Sequence, residues 1–333
     1  MQATDLGKAP PMQKVIVGLG ELLWDMLPSG KRLGGAPANF TVMSSRLGNR
    51  GVIASRLGSD SLAGEARQVL KAFPADLSLL QSDTIHPTGT VGVEIRGEEP
   101  HYIIHEPAAW DFMEWTSEWR ALAQSADAVC FGSLAQRNPA SRATIREFLS
   151  ATRPGCVRVF DVNLRPPFFS VDVIGASLAS ATIFKLNEVE MPEVLAMLGL
   201  LPPDARAAGN GETGKSEAGL LAAARSILRK YPVKLVAVTM GDEGSILAMR
   251  DAHHRHHGVP IAVADTVGAG DAFTAALVQA YLAGASLAGM NEAGNRWGGW
   301  VASQRGAMPP LDPATLAAVT AQIADAASRP GLS

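Results

Sequence analysis

The stretch AVADTVGAGDAFTAALVQAYLAG, residues 262–284, decides the fold of this chain. An apolar segment leads into a Gly-Ala-Gly turn, and an apolar helical segment follows the turn. Because glycine has no side chain, the backbone N–H groups of Gly268, Ala269 and Gly270 can approach a phosphoryl oxygen, and the dipole of the next helix adds partial positive charge there. We therefore predict a strand, an anion-binding turn and a helix, in that order. Asp271 falls in the first turn of this helix, where a carboxylate either takes part in chemistry or simply caps the helix.

Short β-branched runs alternate with amphipathic stretches along the rest of the chain. The predicted strands are KVIVG (14–18), DAVCF (127–131), CVRVFDVN (156–163), ATIFKLN (181–187) and KLVAVT (234–239), and the predicted helices span 38–47, 61–73, 141–149, 218–230, 272–283 and 287–303. This alternation is typical of an α/β protein whose mostly parallel sheet is covered by helices on both faces. Ligands bind at the strand ends of such folds.

One block of sequence interrupts the alternation. TGTVGVEI (88–95) and HYIIH (101–105) have the pattern of two antiparallel strands joined by the turn-rich RGEEP. We predict that these strands form a small β lid. A lid of this kind can close over a bound ligand and exclude water.

A second glycine-rich motif competes for the role of phosphate site. GNGETGKS, 209–216, matches the phosphate-loop pattern G-x-x-x-x-G-K-S. That pattern requires a buried strand that delivers the loop, but the preceding LGLLPPDARAA contains two prolines and small residues that do not form a central strand. We expect a surface loop over 199–217, closed by a helix that begins near Ser216.

Composition and charge exclude several classes of function. Lys plus Arg (29) nearly balance Asp plus Glu (32), the net charge is -3, and no basic stripe with interleaved aromatic residues occurs, so we expect no nucleic-acid partner. The N-terminal residues resemble no signal peptide and no stretch is apolar over membrane length, so we expect a cytoplasmic protein without a membrane partner.

Cys130 and Cys156 lie in apolar runs and are expected to be buried thiols. The histidines of HHRHHG, 253–258, are expected at an exposed hairpin tip rather than at a metal.

DTVGAGD, 265–271, resembles the signature of the ribokinase-like sugar kinases, also called the phosphofructokinase-B family. Further motifs follow in the order of that family over nearly the whole chain: GELLWD (20–25), LGGAPANF (33–40), HPTGTV (86–91), FGSLAQR (131–137), DVNLR (161–165), KLNEVE (185–190), TMGDEG (239–244) and GNRWGGWVASQRGAMPP (294–310). The resemblance implies a ribokinase-like three-layer α/β/α domain spanning 1–333, with lid strands from about 21–35 and 86–106.

The resemblance also implies the residues of the site. The implied sugar ligands are Asp25, Gly34, Gly35, Asn39, Thr90, Gln136 and Arg137, and the implied ATP ligands are Asn187, Thr239, Gly241, Gly244 and Asn295. Asn187 and Glu190 would order Mg²⁺ and its water shell, since Mg²⁺ keeps several waters. Asp265 would belong to a potassium site beside the anion-binding turn. Arg165 either meets a phosphate or the sugar, or is an ordinary exposed arginine after a strand.

A sugar kinase of this kind would transfer the γ-phosphoryl group of ATP to a sugar hydroxyl. Asp271 would accept the hydroxyl proton late, as a loose transition state bonds the incoming oxygen, so an aspartate with an ordinary pKa suffices. The amides of Gly268, Ala269 and Gly270 would hold the charge of the transferring group. Lid strands in this family often pair between subunits, which implies a homodimer.

Three hypotheses stay open at this point. The first is a sugar kinase, nearest to the fructokinases because the GELLWD, GGAPAN, FGSLAQR and DVNLR motifs depart together from the N-x-D start of ribokinases. Kinases for 2-keto-3-deoxygluconate, ribose or a nucleoside are its neighbouring alternatives. The second hypothesis is a nucleotide-switched regulator that uses GNGETGKS. The third is a binding protein that kept the fold and lost the chemistry.

Overall fold

The computed structural model describes residues 13–96, 99–201 and 216–328. Part of the predicted lid turn RGEEP and the first seven residues of GNGETGKS, 209–215, lie outside these ranges. Ser216, the last residue of that motif, caps a helix, because its Oγ accepts a hydrogen bond from Gly219 N at 3.2 Å.

Strands and helices alternate as the sequence pattern indicates. The strands are β1 (Val15–Leu19), β2 (Leu23–Leu27), β3 (Gly30–Gly34), β4 (Arg50–Ala54), β5 (Arg56–Leu57), β6 (Gln81–Ser82), β7 (Gly89–Arg96), β8 (Glu99–Ile104), β9 (Ala128–Phe131), β10 (Val157–Asp161), β11 (Ile183–Asn187), β12 (Leu235–Thr239), β13 (Ser245–Ala248) and β14 (His253–His256). The helices are α1 (Ala36–Arg46), α2 (Ser61–Leu70), α3 (Ser117–Ser125), α4 (Pro139–Ala151), α5 (Val171–Ser180), α6 (Met191–Leu198), α7 (Glu217–Lys230), α8 (Ala269–Leu282), α9 (Leu287–Ala302) and α10 (Pro313–Ser328).

The central sheet has eight strands in the order β14-β13-β12-β11-β10-β9-β1-β4. Neighbours from β4 to β12 are parallel, and β13 and β14 extend the sheet in antiparallel pairing. The strands are apolar runs because helices cover both faces of a parallel sheet. The predicted α/β class with a mostly parallel sheet is confirmed.

Two hydrophobic clusters lie on opposite faces of this sheet. Consecutive residues of one strand alternate between them, so Ile16 packs with α1, α2, α8, α9 and α10, whereas Val17 packs with α3 to α7. The arrangement has the three layers that the family resemblance implies. Cys130 and Cys156 are buried free thiols, as expected.

The lid is a separate four-stranded sheet in the order β3-β2-β7-β8. β7 and β8 are antiparallel, as predicted, and β2 joins them through parallel pairing with β7. Trp24 of β2 anchors the lid, because its side chain is buried and its Nε1 donates to Leu62 O at 3.0 Å. Both edge strands of this sheet, β3 and β8, lack a second neighbour among the residues the structure describes.

Two predictions were wrong. Residues 257–268 are not a strand, because the backbone N–H groups of Ala264 and Asp265 donate to Ala302 O at the end of α9 instead of to a neighbouring strand. The histidine cluster is not a hairpin tip, since 253–256 forms β14 at the edge of the central sheet. His254 and His256 are partly buried there against α9.

None of the helices in the described ranges is long and apolar enough to cross a membrane. Within the same residues, His, Cys, Asp and Glu side chains form no group of three that could hold a metal ion by themselves.

Candidate active site

The strand order reverses beside β1, because the chain passes from β1 to β4 on one side and later to β9 on the other. In open α/β sheets, ligands bind at the carboxyl ends of the strands next to such a reversal. A cavity lies at this position, and its lining includes Glu21 after β1, Gly132 and Ser133 after β9, Asp161 of β10, and Asp271 of α8. Topology therefore brings these distant segments into one cleft.

The Gly-Ala-Gly turn leads directly into α8, as predicted. Gly268 is the residue before the helix and has φ of 78°, a left-handed conformation that favours glycine. A Cβ on Gly268 would lie 2.6 Å from Ala307 Cα, so any side chain would force the turn away from its neighbour. At the other end of the turn, a Cβ on Gly270 would lie 3.1 Å from the ammonium of Lys185. The first turn of α8 therefore lies next to the Lys185 ammonium.

Asp271 lies in the first turn of α8 and reaches into the cleft. Asn39 Nδ2 donates to Asp271 Oδ2 at 2.8 Å. Burial, and then the nearby negative charge of Asp161, raise the pKa of Asp271 to about 7, against the opposing effects of Asn39, Lys185 and Arg165. An aspartate with an ordinary pKa would suffice for the proposed chemistry, and the upward shift was not predicted, because a pattern of letters does not show how deeply a carboxyl is desolvated. A carboxyl with this pKa gains and loses a proton close to neutral pH.

A buried ion pair next to Asp271 was missed by the sequence analysis. Lys185 of β11 contacts both carboxylate oxygens of Asp161 at 3.1 Å, and the two side chains are 9% and 6% exposed. Although burial opposes it, Asp161 and Glu190 raise the pKa of Lys185, which keeps the lysine charged. A lysine inside an apolar strand, in IFKLN, was the available signal, since a buried lysine needs a partner.

The sugar-side candidates on the strands of the predicted lid are Asp25, Gly34 and Thr90. Asp25 of β2 is half-buried, and burial raises its pKa against the effects of Arg165 and Arg32. A Cβ on Gly34 would lie 2.9 Å from Asp25 Oδ2, so glycine keeps this carboxylate free of crowding. Thr90 of β7 pairs through Oγ1 with His105 Nδ1 at 2.8 Å.

Gly35 precedes α1 with φ of 113° and brings no capping side chain. Its conformation starts the helix that carries Asn39. Asn39 is buried, and its Oδ1 receives no hydrogen bond from a protein donor. An amide oxygen of this kind is available to a ligand hydroxyl.

Arg165 sends its charge into the cleft, although the residue as a whole is exposed. Its positive charge lowers the pKa of four carboxyl groups, those of Glu21, Asp25, Asp161 and Asp271. The guanidinium also donates to Leu164 O at 3.0 Å. Arg165 is thus an exposed arginine whose charge acts on the carboxyl groups of the cleft, and a contact with a phosphate or the sugar stays a prediction.

Gln136 and Arg137 are committed to protein partners instead. Gln136 is 2% exposed, and its Nε2 donates to Gly132 O at 2.8 Å and to Ser177 Oγ at 3.0 Å. Arg137 forms a paired contact with Asp111 through Nε and Nη2, each at 2.7 Å. Gln136 is thus held by buried partners within the protein, whereas Arg137, beside its contact with Asp111, keeps a buried Nη1 that has no hydrogen-bond partner.

Asn187 is the last residue of β11, and Glu190 follows it by three residues and contacts the loop after β10. Glu190 accepts from Leu164 N through Oε1 and from Asn187 N through Oε2, both at 2.8 Å, and Asn187 Oδ1 accepts from Glu190 N at 2.8 Å. Each oxygen of the rigid carboxylate retains lone pairs, which suits hydrogen bonding to the water shell of Mg²⁺ better than direct coordination. The residues present therefore fit the magnesium role that the family resemblance implies.

Asp265 does not fit a potassium site equally well. Its Oδ2 contacts Arg32 Nη1 at 2.9 Å and accepts from Gly306 N at 3.0 Å, and its Oδ1 accepts from Val267 N at 3.1 Å. Although partial burial opposes them, these donors hold the pKa of Asp265 below its ordinary value. A guanidinium from the lid thus already neutralises this carboxylate, and a second cation on the same oxygen would be repelled.

The nucleotide-side candidates divide into two groups. Thr239 ends β12, and Gly241 and Gly244 form the turn that follows, with φ of 56° and 87°. Asn295 lies apart in a buried network, since its Nδ2 donates to Ser245 Oγ at 2.7 Å and to the Asn291 carbonyl at 2.8 Å. The amide nitrogen of Asn295 is therefore used within the protein, whereas the turn after β12 lies at the end of its strand.

Comparison with known proteins agrees with this geometry. A family model described as "pfkB family carbohydrate kinase" matches residues 29–314. A fructokinase of Salmonella typhimurium is 29% identical over 78% of this chain and 82% of its own length. A fructokinase of Escherichia coli is 28% identical over the same shares of the two chains.

Solved structures show the same fold. An uncharacterized sugar kinase from Pyrococcus horikoshii superposes with a TM-score of 0.75 at 24% identity, covering 95% of this chain and all of that one. A fructokinase from Vibrio cholerae, solved with fructose, ADP and calcium ion bound, has a TM-score of 0.73 at 23% identity and covers 93% of this chain and 99% of its own.

Proposed function

We propose that this chain, which belongs to the pfkB family of carbohydrate kinases, transfers the γ-phosphoryl group of ATP to a hydroxyl of fructose. Members of the family are phosphotransferases with an alcohol acceptor, and curated relatives named fructokinase match most of the chain. One observation supports the mechanism: Asp271, in the first turn of the helix that follows the Gly-Ala-Gly turn, lines the cleft at the strand reversal.

In the proposed reaction, Asp271 accepts the proton of the attacking sugar hydroxyl. The amides of Ala269 and Gly270 and the positive end of α8 stabilise charge on the transferring group, which is the main catalytic demand in phosphoryl transfer. Lys185 and Arg165 add positive charge to a cleft that holds several carboxylates. Asn39 orients Asp271 through its 2.8 Å hydrogen bond.

Magnesium, when bound, would neutralise phosphate charge and is expected to be held through water by Asn187 and Glu190. ATP would extend from the turn toward Thr239, Gly241 and Gly244. The proposed mechanism uses no potassium ion, because Arg32 supplies the positive charge at Asp265.

The sugar is proposed to lie between the lid and α1, with hydroxyls held by Asp25 and Asn39. Asn39 Oδ1, which lacks a protein donor, supports this placement. We further propose a cytoplasmic homodimer in which lid sheets pair, since β3 and β8 have open edges among the described residues.

A coupled assay of ADP release over a panel of sugars tests this function. We expect turnover with fructose to exceed that with ribose, 2-keto-3-deoxygluconate and nucleosides. Preference for one of those acceptors would reassign the sugar within the family. Binding of sugars without ADP release would indicate a protein that has lost the chemistry. A K215A variant serves as control and should retain ATP binding, because GNGETGKS has no role in this proposal.

A further inference from the structure

Glu21 is a buried acid that the proposed mechanism does not yet use. It follows β1, is 3% exposed, and its Oε2 receives no hydrogen bond from a protein donor. A buried carboxyl with an unpaired oxygen lowers stability unless something else in the site interacts with it. Its position next to the proposed base makes Glu21 a candidate for a role in the reaction.

One small cavity connects Glu21 to Asp271. Both carboxyl groups line it, together with Ser133, Asp161 and Asn163. The cavity has a volume of about 10 Å³, which is close to the space that one water molecule requires. Most of its lining is apolar, and the polar side chains of Glu21, Ser133, Asp161, Asn163 and Asp271 are the groups that a buried water could contact there.

The charges around Glu21 make it similar to Asp271 as an acid. Burial, together with the negative charge of Asp271, raises the pKa of Glu21 to about 7 against the opposing effects of backbone hydrogen bonds and of Arg165. Asp271, which also faces Asp161 and Lys185, has a pKa of about 7 as well. Two adjacent carboxyls with matched affinities titrate as a pair and can hold one proton between them.

We propose that Glu21 is a positioning residue that shares one proton with Asp271 across this cavity and takes over the proton that Asp271 removes from the sugar. The inference rests on the proposed function. In the step, the sugar O–H bond breaks, its oxygen bonds the γ-phosphorus, and the bonding pair of the broken P–O bond leaves with ADP. The proton moves to Asp271 and then, through one water, to Glu21, from which it returns to solvent before the next turnover.

The variant E21Q tests the proposal, because glutamine keeps the size of the side chain and an oxygen for the Ala36 amide. Without the like charge of Glu21, the acidic limb of the kcat/KM profile should move to lower pH by about half a unit or more. The plateau kcat at alkaline pH should fall about tenfold, which is less than the roughly hundredfold or more of a group that transfers the proton directly, because Glu21 acts through Asp271. E21D, which retains a carboxyl, should recover part of that kcat. E118Q, at an exposed glutamate of α3, should leave both quantities unchanged.

An acidic limb that stays in place in E21Q would overturn the proposal, whether or not kcat falls, since Glu21 would then only support the structure. Thermal melting verifies that the variant folds. If E21Q does not fold, E21D decides: its shorter side chain moves the carboxyl away from Asp271, so an unshifted limb again overturns the proposal. Normal turnover by D271N in the same assay would instead show that Asp271 is not the general base. The proposed function would then fail at that residue, which is a different outcome from an unshifted acidic limb in E21Q.

Discussion

Two groups of buried charges lie near the lid and differ in how well they are balanced. Arg137 and Asp111, whose side chains are 3% and 2% exposed, form a paired contact, with the exposed Glu106 carboxylate at 3.8 Å from Arg137 Nε and with Arg137 Nη1 left without a hydrogen bond. Trp110 and Phe168 lie near the Arg137 guanidinium, with ring centroids at 4.0 Å and 4.8 Å. In the cleft, by contrast, Lys185 and Arg165 face a larger number of carboxyl groups. A balanced buried pair holds the fold together, whereas an excess of one charge with unpaired oxygens marks a site that is completed by a ligand or a proton.

The largest effect is expected on the unbalanced side, from D271N. This variant removes the proton acceptor while retaining a side chain that Asn39 can contact. Turnover should fall on the order of 10⁴-fold, equivalent to about 5 kcal/mol, because general-base catalysis is lost. Measurement of ADP release with fructose checks the turnover, and thermal melting checks the fold. The melting temperature should not fall, since a desolvated carboxyl has been removed; turnover near that of the unchanged protein would contradict the role of Asp271.

Substitution in the Arg137–Asp111 pair should lower the free energy of unfolding and not the turnover. R137M leaves Asp111 buried without its partner, which should cost about 3–5 kcal/mol of the free energy of unfolding. Urea unfolding measures this loss. The double variant R137M/D111N is the matched control and should recover much of the stability, because no isolated charge remains. A single variant as stable as the unchanged protein would break the comparison between the two groups.

The pH dependence distinguishes the two groups further. Because the pKa of Asp271 is about 7 and only its ionised form is a base, kcat/KM should rise roughly tenfold per pH unit up to about pH 7 and then level off. Stability should change in the opposite direction. A raised carboxyl pKa means that the folded state binds protons more tightly, so stability falls as the pH rises from about 4 to 7. Unfolding of D271N should show a smaller fall, and identical pH dependence in both proteins would contradict the assigned pKa.

The smallest effect is expected at the contact between the lid and the turn. R32Q removes a partly exposed ion pair with Asp265, which is worth up to about 1 kcal/mol, so the sugar KM should rise about fivefold or less. Freed of its guanidinium, Asp265 should respond to potassium, and KCl should raise the melting temperature of R32Q more than choline chloride does. K31Q, at the neighbouring lid residue that pairs with Glu65, is the control. Strong potassium activation of the unchanged protein would contradict the role of Arg32.

Most of the fold follows from local patterns in the sequence. Strand runs such as KLVAVT and helices such as 218–230 are fixed by periodicity, and the structure places them within a few residues of the prediction. The missing strand before Asp265 shows the limit of this approach. Apolar letters there predict burial, but Val263 is 57% exposed because the segment's N–H groups bind the end of a helix.

The candidate site was predictable only where a motif is continuous in sequence. DTVGAGD marks the turn and Asp271 because all its parts are adjacent. Glu21 and Lys185 carry no such signal, since their roles depend on neighbours that only the folded sheet supplies. Arg137 was assigned to the sugar for the same reason: its partner Asp111 lies 26 residues earlier, in a segment without a recognisable pattern.

The hydrogen bond between Asn39 and Asp271 spans 232 residues of sequence. A ribosome that has delivered the first 260 residues has therefore made the proposed sugar-holding half and the lid, but not the acceptor of the proton or the amides of the turn. Under the proposed function, a chain that ends before Asp271 lacks the proton acceptor and therefore does not transfer a phosphoryl group. Competence for phosphoryl transfer arises only when the last quarter of the polypeptide has emerged and folded back onto the first.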